Sequence, residues 1–341
     1  MRVLVTGGAG MLGTHLVRKL SAARSHDVIS LDVAPAEPAR SVVQVTGDIR
    51  DNGLANDLMS KVDIVVHAAA ALPRHRPDEI WSIDVAGTRT LLEAAAHHGV
   101  ERFIYISSTA VYGLPRARPT SELHPFEVVD PYNRAKIEAE RLCEQFRSSG
   151  LCVPVLRPKT FLGPERLGIF AMLFEWAREG RNFPVLGSGE VRCQMLDVED
   201  LCDAVLATIE GRAELVNDVF NIAAAEYGTL REDFQAVLDA AGRGGRVVPI
   251  PARPAVAALR LLEVIGISPV YKRLAYKLLD DSFVSIDRAR ERLGYNPAFS
   301  NTQTLLRTFE WYQTTAVGRK AGRTSRDPWR QGVLRLAKSM F

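Results

Sequence analysis

Tyr132 and Lys136 stand four residues apart in the run Tyr132-Asn133-Arg134-Ala135-Lys136. In a helix that spacing puts both side chains on one face, one turn apart. A phenol with an ordinary pKa of about 10 is a poor base at neutral pH. An adjacent ammonium favours the phenolate, so the pair is suited to taking a proton from an alcohol. Alone the pattern is common, because Tyr and Lys often share exposed helix faces. Its meaning depends on what the rest of the chain places beside it.

A second constellation is Thr6-Gly7-Gly8-Ala9-Gly10-Met11-Leu12-Gly13, between an apolar run at 2–6 and a helical pattern at 11–23. Gly7 permits a tight turn, Gly10 lets backbone approach a pyrophosphate, and Gly13 lets the helix pack close on the strand. The helix N-terminus at Met11, Leu12 and Gly13 supplies N–H donors and a partial positive charge to an anion. Asp32 ends the next apolar run, 19 residues past Gly13. A carboxylate there accepts from both ribose hydroxyls of an adenosine and repels a 2′-phosphate; the alternative is a turn residue at a strand end. Val33, Ala34 and Pro35 follow it in place of an arginine. The site predicted is a dinucleotide site for NAD over NADP. With that cofactor, the positive nicotinamide ring joins Lys136 in favouring the Tyr132 phenolate, and Lys136 can hold the nicotinamide ribose.

The elements that must position these residues alternate. Strands are predicted at 2–6, 27–32, 42–46, 62–66, 101–107 and 152–157, and helices at 11–23, 79–98 and about 132–149. Continuous apolar strands between helices imply a parallel sheet covered on both faces. Past residue 160 the rhythm breaks, with strands at 218–222 and 246–250, a helix at 229–241 and an Ala- and Leu-rich helical stretch at 252–280. The expected fold class is α/β, a Rossmann-type doubly wound parallel sheet with a smaller C-terminal α/β substrate lobe. The expected division is an NAD-binding domain at 1–160, a substrate lobe at 161–318 that partly returns to the core, and a basic tail at 319–341.

Taken together, these motifs resemble the extended short-chain dehydrogenase/reductase family, in its nucleotide-sugar epimerase/dehydratase branch. The resemblance spans roughly residues 1–312. It is carried by TGGAGMLG, Asp32, Gly47-Asp48-Ile49, His67-Ala68-Ala69-Ala70, Ser107-Ser108-Thr109-Ala110-Val111-Tyr112-Gly113, Tyr132/Lys136 and Leu156-Arg157-Pro158…Gly163-Pro164, in the family's order. It implies catalytic roles for Ser108, Tyr132 and Lys136. It implies adenine contacts at Asp48 and Ile49, a small-residue loop past the cofactor at Ala68, Ala69 and Ala70, a cofactor contact at Ser107, and a carboxamide contact from the backbone after Pro158. Substrate contacts fall to Ser108, its neighbour Thr109, Thr160 and Arg192. The family's usual Asn before Val-x-Gly-Thr is Asp84, its Asn before Gly-Pro is Thr160, and its His before Val is Asp197. A homodimer is the family default.

In the reaction implied, Tyr132 takes a proton from a sugar hydroxyl while a hydride leaves carbon for NAD, and Ser108 donates to the developing oxygen charge. Dehydratases of the branch place Asp-Glu after the catalytic hydroxyl, and 3,5-epimerases place a cysteine two residues after it; here Thr109 and Ala110 stand there. The expected activity is 4-epimerisation of a nucleotide-diphosphate or polyprenyl-diphosphate sugar through a 4-keto intermediate. Net dehydrogenation of a sugar or sterol-like alcohol, decarboxylation through the same intermediate, and an NAD-binding scaffold without turnover are the alternatives.

The remaining features bound the partners. The chain has 341 residues, 47% hydrophobic and 24% charged, with net charge +3. That is an ordinary globular composition and rules out disordered, collagen-like and disulfide-scaffold classes. Seven basic residues and one acid crowd into 319–341, leaving a mildly acidic body with no reason to bind nucleic acid. Cys143, Cys152, Cys193 and Cys202 form no CxxC pair and the histidines no HExxH, so no metal site is expected. Free thiols and a strand starting at Arg2, with no signal peptide, fit a cytoplasmic enzyme. In 329–341, Trp329, Val333, Leu336, Ala337 and Met340 share one helical side beside Arg330, Arg335 and Lys338. This pattern suits peripheral contact with the inner face of a membrane; docking on the body, a dimer contact and a frayed end are the alternatives.

Overall fold

The computed structural model describes residues 1–23, 26–35, 41–73, 75–168, 170–254, 257, 279–317 and 338. In chain order the strands are β1 (Arg2–Thr6), β2 (Asp27–Asp32), β3 (Val42–Thr46), β4 (Ile64–His67), β5 (Arg102–Ile106), β6 (Val155–Pro158), β7 (Phe161–Leu162), β8 (Phe183–Leu186), β9 (Leu196–Asp197), β10 (Val219–Ile222) and β11 (Val247–Ile250). The α-helices are α1 (Met11–Ala23), α2 (Asn52–Met59), α3 (Pro77–Trp81), α4 (Thr88–His98), α5 (Pro131–Ser148), α6 (Phe170–Arg178), α7 (Val198–Glu210), α8 (Ala213–Val216), α9 (Leu230–Ala240), α10 (Asp287–Leu293) and α11 (Asn301–Trp311).

Among the described residues, seven strands form one parallel sheet in the order β10-β6-β5-β4-β1-β2-β3. Successive strand residues point to opposite faces, so each strand feeds two cores. Val3, Val5, Ile64, Val66 and Ile104 pack with α1 and α7 through Leu16, Leu20, Leu201 and Val205. Leu4, Leu31, Val65, Phe103 and Tyr105 pack on the other face with α2, α4 and α5 through Leu58, Leu91 and Ala139. This is the doubly wound Rossmann arrangement. The chain winds outward from β1 to β3, then crosses to β4 on the other side of β1. The C-terminal ends of β1 and β4 therefore flank a crevice where strand order reverses, the usual place for a ligand in such sheets.

Two expected elements differ in form. The strand read at 152–157 pairs regularly only over 155–158, because Pro154 lacks an N–H to donate to the ladder. The helix read at 79–98 is α3, a π-helical stretch at Ser82–Gly87, and α4. The wider turn brings both Asp84 and Gly87 inward. A Cβ on Gly87 would lie 2.6 Å from Ile49 Cδ1, so the π turn is packed directly on the residue that follows Asp48.

After β6 the chain builds a third core from α6, β8, α9, β11 and α11, centred on Phe174, Trp176, Phe183, Phe234, Leu305 and Phe309. Yet α7 and β10, which also follow residue 160, pack into the central layer. Most of 252–280 lies outside the described residues, and so does the tail apart from Lys338. The Lys338 ammonium pairs with Glu175 at 2.5 Å and Glu179 at 2.7 Å on and just past α6, and its carbonyl accepts from Arg181. No helix among the described residues is long and apolar enough to cross a membrane.

Candidate active site

The β1–α1 turn sits at the strand-order reversal. Gly7 and Gly8 N–H groups both donate to Leu31 O, at 2.8 and 3.1 Å, which ties the turn to β2. Gly7 has φ +74°, and a Cβ there would stand 2.7 Å from Ala69 N, so the turn closes against the loop Ala68–Ala70. Ala68 and Ala69 N–H donate to Thr6 O and Thr6 Oγ1. A Cβ on Gly13 would lie 2.1 Å from Gly7 O, whereas one on Gly10 meets only Gly7 O, at 3.1 Å. Gly13 thus serves close packing, and Gly10 leaves open backbone. Met11 and Leu12 bury their side chains, while their N–H groups, in the first turn of α1, have no acceptor within the helix.

Asp32 lies beside this turn. Its Oδ2 accepts from Ala9 N–H and its Oδ1 from Ala34 N–H, both at 3.0 Å. Each oxygen keeps a further lone pair for a sugar hydroxyl. An open glycine, first-turn donors and an anchored carboxylate on one crevice fit an adenosine ribose with its diphosphate. Asp48 is paired with Arg50, whose Nη1 reaches Ser82 Oγ at 2.9 Å, and Ile49 is buried against Gly87.

The Tyr132 helix is held to the Ser108 turn by a residue inside the Tyr-x-x-x-Lys motif. Asp130 caps α5 by accepting from Asn133 N–H at 2.7 Å. Asn133, fully buried, donates through Nδ2 to Ala110 O at 2.5 Å and accepts from Val129 N–H at 2.9 Å. Ser108 caps the short 3-10 turn Thr109–Tyr112, accepting from Ala110 N–H at 3.1 Å. The Thr109 hydroxyl reaches Pro158 O at 3.4 Å, which ties the same turn to the end of β6. Asn133 is a positioning residue that sequence reading passed over; its signal was an amide directly after the tyrosine.

Lys136 is buried one turn beyond Tyr132, with Nζ 6.0 Å from the centre of the Tyr132 ring. Nζ donates to Tyr105 OH at 3.3 Å and Ile106 O at 3.4 Å, and lies 3.8 Å from Asp84 Oδ2. Burial disfavours the ammonium, but the Tyr105 oxygen, the Asp84 carboxylate and the Tyr132 oxygen outweigh it and hold Lys136 above the ordinary lysine value. Lys136 is therefore cationic at neutral pH, one helical turn from the phenol.

Several expected contacts are placed otherwise. The Ser107 hydroxyl, expected at the cofactor, donates to the buried Glu140 carboxylate. Glu140 is also bound by Arg157, and Arg157 donates to Tyr112 OH, whose own proton goes to Asn221. Ser107 and Tyr112 thus belong to a buried polar network that joins β5, α5, β6 and β10, because an interior carboxylate needs every donor within reach. Arg192, expected at a substrate phosphate, is spent on Asp281. Its N–H, Nε and Nη2 all donate to that carboxylate, at 2.8, 3.1 and 2.8 Å, and its guanidinium lies over Phe283. Thr160 is exposed. Directly after Pro158 the Lys159 N–H is used by Ile222 O, at 2.9 Å. The Lys159 ammonium, which sequence reading did not single out, is buried and donates to Ser282 O and Oγ at 2.9 and 2.8 Å. Burial lowers its pKa from the ordinary lysine value. No group of three or more metal-ligating side chains occurs among the described residues.

His67 is a strut with a pH consequence. Its ring nitrogens bond Thr6 Oγ1 at 2.7 Å and Thr88 Oγ1 at 2.9 Å, and burial, with Lys136 nearby, pushes its pKa down to about 3. The unfolded chain binds a proton near the free histidine value of about 6.5. Between those values the unfolded state carries the extra proton, so stability falls as pH drops, by about 1.4 kcal/mol per pH unit from this group. Denaturant unfolding at pH 7 and pH 5 measures it. The expected result is a loss that His67→Gln reduces; an equal loss in both proteins removes His67 as the cause.

The chain belongs to the NAD-dependent epimerase/dehydratase family, whose sequence pattern matches residues 3–223. NAD is accordingly its cofactor. Similar curated proteins include an uncharacterized protein of Sinorhizobium fredii, 33% identical over 98% of this chain and 84% of that protein. A dTDP-glucose 4,6-dehydratase of Streptomyces niveus is 30% identical over 92% of this chain and 93% of its own. A 3 beta-hydroxysteroid dehydrogenase/isomerase of Mycobacterium tuberculosis is 31% identical over 91% and 90%. Among solved structures, the UDP-glucose 4-epimerase of Thermotoga maritima superposes with a TM-score of 0.77 at 26% identity, over 92% of this chain and 99% of that one.

Proposed function

We propose that this enzyme inverts C4 of a nucleotide-diphosphate sugar through a transient 4-keto intermediate. One observation carries the choice of reaction. The two positions after Ser108 that would hold the extra acid–base groups of a dehydratase, or a ring-epimerising thiol, are Thr109 and Ala110, both buried, with the Thr109 hydroxyl turned to Pro158 O. Those positions then leave a base, a hydroxyl donor and a cation, without the added acid–base pair that elimination uses there.

In this reading Gly7, Gly10 and the first-turn N–H groups of α1 hold the cofactor diphosphate, and Asp32 holds the adenosine ribose. Ala68 to Ala70 give the cofactor passage, Asp48 and Ile49 border the adenine, and Tyr132 and Lys136 meet the nicotinamide ribose. NAD, when bound, supplies a reversible hydride acceptor. Tyr132 takes the proton of the C4 hydroxyl, Ser108 donates to the oxygen as charge develops on it, and Lys136 stabilises the phenolate. Once the keto-sugar has rotated and its C4 has taken the hydride back on the opposite face, Tyr132 would return the proton to the C4 oxygen, which completes inversion.

A second reading has its own support. Arg192 is held by Asp281 and Thr160 stands in place of an amide, so the diphosphate end departs from the family pattern at two positions, and one relative is named as a hydroxysteroid dehydrogenase. That combination favours net oxidation of an alcohol without a diphosphate carrier. The test is incubation of the NAD-loaded protein with UDP-, GDP-, CDP- and polyprenyl-linked sugars and with a 3-hydroxysteroid. Absorbance reports NADH, and NMR reports product stereochemistry. Inverted sugar with no net NADH over many turnovers is the expected result. Stoichiometric NADH release supports the second reading instead, and carbon dioxide release a decarboxylase.

A further inference from the structure

Asp84 is a charged residue in a place where the backbone asks only for a hydrogen-bond acceptor. The π-helical turn Ser82–Gly87 points it inward, and its Oδ1 accepts from Ala71 N–H at 2.6 Å. An asparagine oxygen would accept that N–H equally well. Oδ2 is buried with no hydrogen-bond partner among the described residues, and it lies 3.8 Å from Lys136 Nζ. Both side chains are at most 3% exposed. An interior carboxylate oxygen without a donor is costly unless its charge is used. The cation it faces is the one beneath the Tyr132 ring.

We propose that Asp84 is a positioning residue for Lys136, balancing its charge so that Tyr132 remains a neutral phenol in the cofactor-free protein. The Lys136 ammonium stabilises a phenolate at Tyr132, and a carboxylate on the same ammonium opposes that effect. Among the described residues, the other ionisable groups packed around Lys136 do not replace this anion. From β4, His67 is held neutral; from β5, the Tyr105 phenol is pushed up by burial; from α5, burial likewise pushes the Cys143 thiol up. Glu140, one turn beyond Lys136, is committed to Arg157 and Ser107. Among the described residues, His75 is a further ionisable group near Asp84. Burial leaves the Asp84 carboxyl above its ordinary value, with the Lys136 charge and the Ala71 N–H offsetting only part of that rise.

The proposal rests on the Tyr132–Lys136 pair of the preceding section, but its test uses neither substrate nor cofactor. Phenolate ultraviolet absorbance is followed against pH in cofactor-free protein, with the Tyr132→Phe form of each background subtracted. Asp84→Asn is expected to lower the Tyr132 pKa by about one unit at unchanged melting temperature. Asp84→Ser, which leaves a hydroxyl near Ala71 N–H, carries the same expectation if the asparagine variant melts early. An unchanged or raised Tyr132 pKa in a folded variant overturns the proposal. Unfolding of both variants also overturns it, since Asp84 would then serve the fold. Failure to turn over any sugar leaves the titration readable, so the two readings fail separately.

Discussion

Tyr132→Phe loses turnover by at least about a thousandfold and keeps NAD binding within a few-fold of wild type. The substitution removes one oxygen. The ring stays half-buried against the core that contains Tyr105 and Ala135, and Asn133 still ties its helix to the Ser108 turn. The diphosphate and adenosine contacts proposed for Gly10 and Asp32 come from the β1–α1 turn and the end of β2, not from the phenol's helix. The measurement pairs NAD titration calorimetry with sugar turnover followed by NMR. Unimpaired turnover would remove the proton-transfer role from Tyr132. Loss of NAD binding in parallel would reassign it to holding the cofactor.

Gly13→Ala is expected to weaken NAD binding by at least about a hundredfold, equivalent to about 2.7 kcal/mol. The added Cβ would stand 2.1 Å from Gly7 O, 2.7 Å from Gly8 Cα and 2.8 Å from Gly7 C. All three are backbone atoms, so no side chain can swing aside and the turn itself must move. Overpacking of this kind costs about 1–3 kcal/mol of stability as well, and the melting temperature should fall with it. Gly10→Ala is the informative contrast, because its Cβ meets only Gly7 O, at 3.1 Å. It should melt close to wild type and still bind NAD poorly, since it blocks ligand approach rather than packing. Wild-type NAD affinity in both variants would mean that the dinucleotide does not lie over this turn.

How far the site could be read in advance depended on how local each group's partners are. The glycine turn, Asp32 at the end of β2 and the one-turn spacing of Tyr132 and Lys136 are short-range facts, and the structure keeps all of them in the expected elements. The strand pattern was equally clear, because strands buried on both faces must be continuously apolar. Pro154 and the π turn are exceptions of opposite kinds. The first is a local rule about a missing donor that spacing alone did not weigh. The second adds a residue to a helical turn and leaves no mark in apolar periodicity.

What the amino-acid order determined by itself was chemistry along the chain: which groups share a turn or a helix face, and hence that a dinucleotide and a phenol–ammonium pair belong to one enzyme. Tertiary structure alone decided which charges remain available. Arg192 is answered by Asp281, Lys136 by Asp84, Ser107 by Glu140 and Lys159 by Ser282, each from a segment remote in sequence. The reason is electrostatic. A side chain's type sets its charge, but the neighbours that burial brings within a few ångströms decide whether that charge faces a ligand or is satisfied inside the protein.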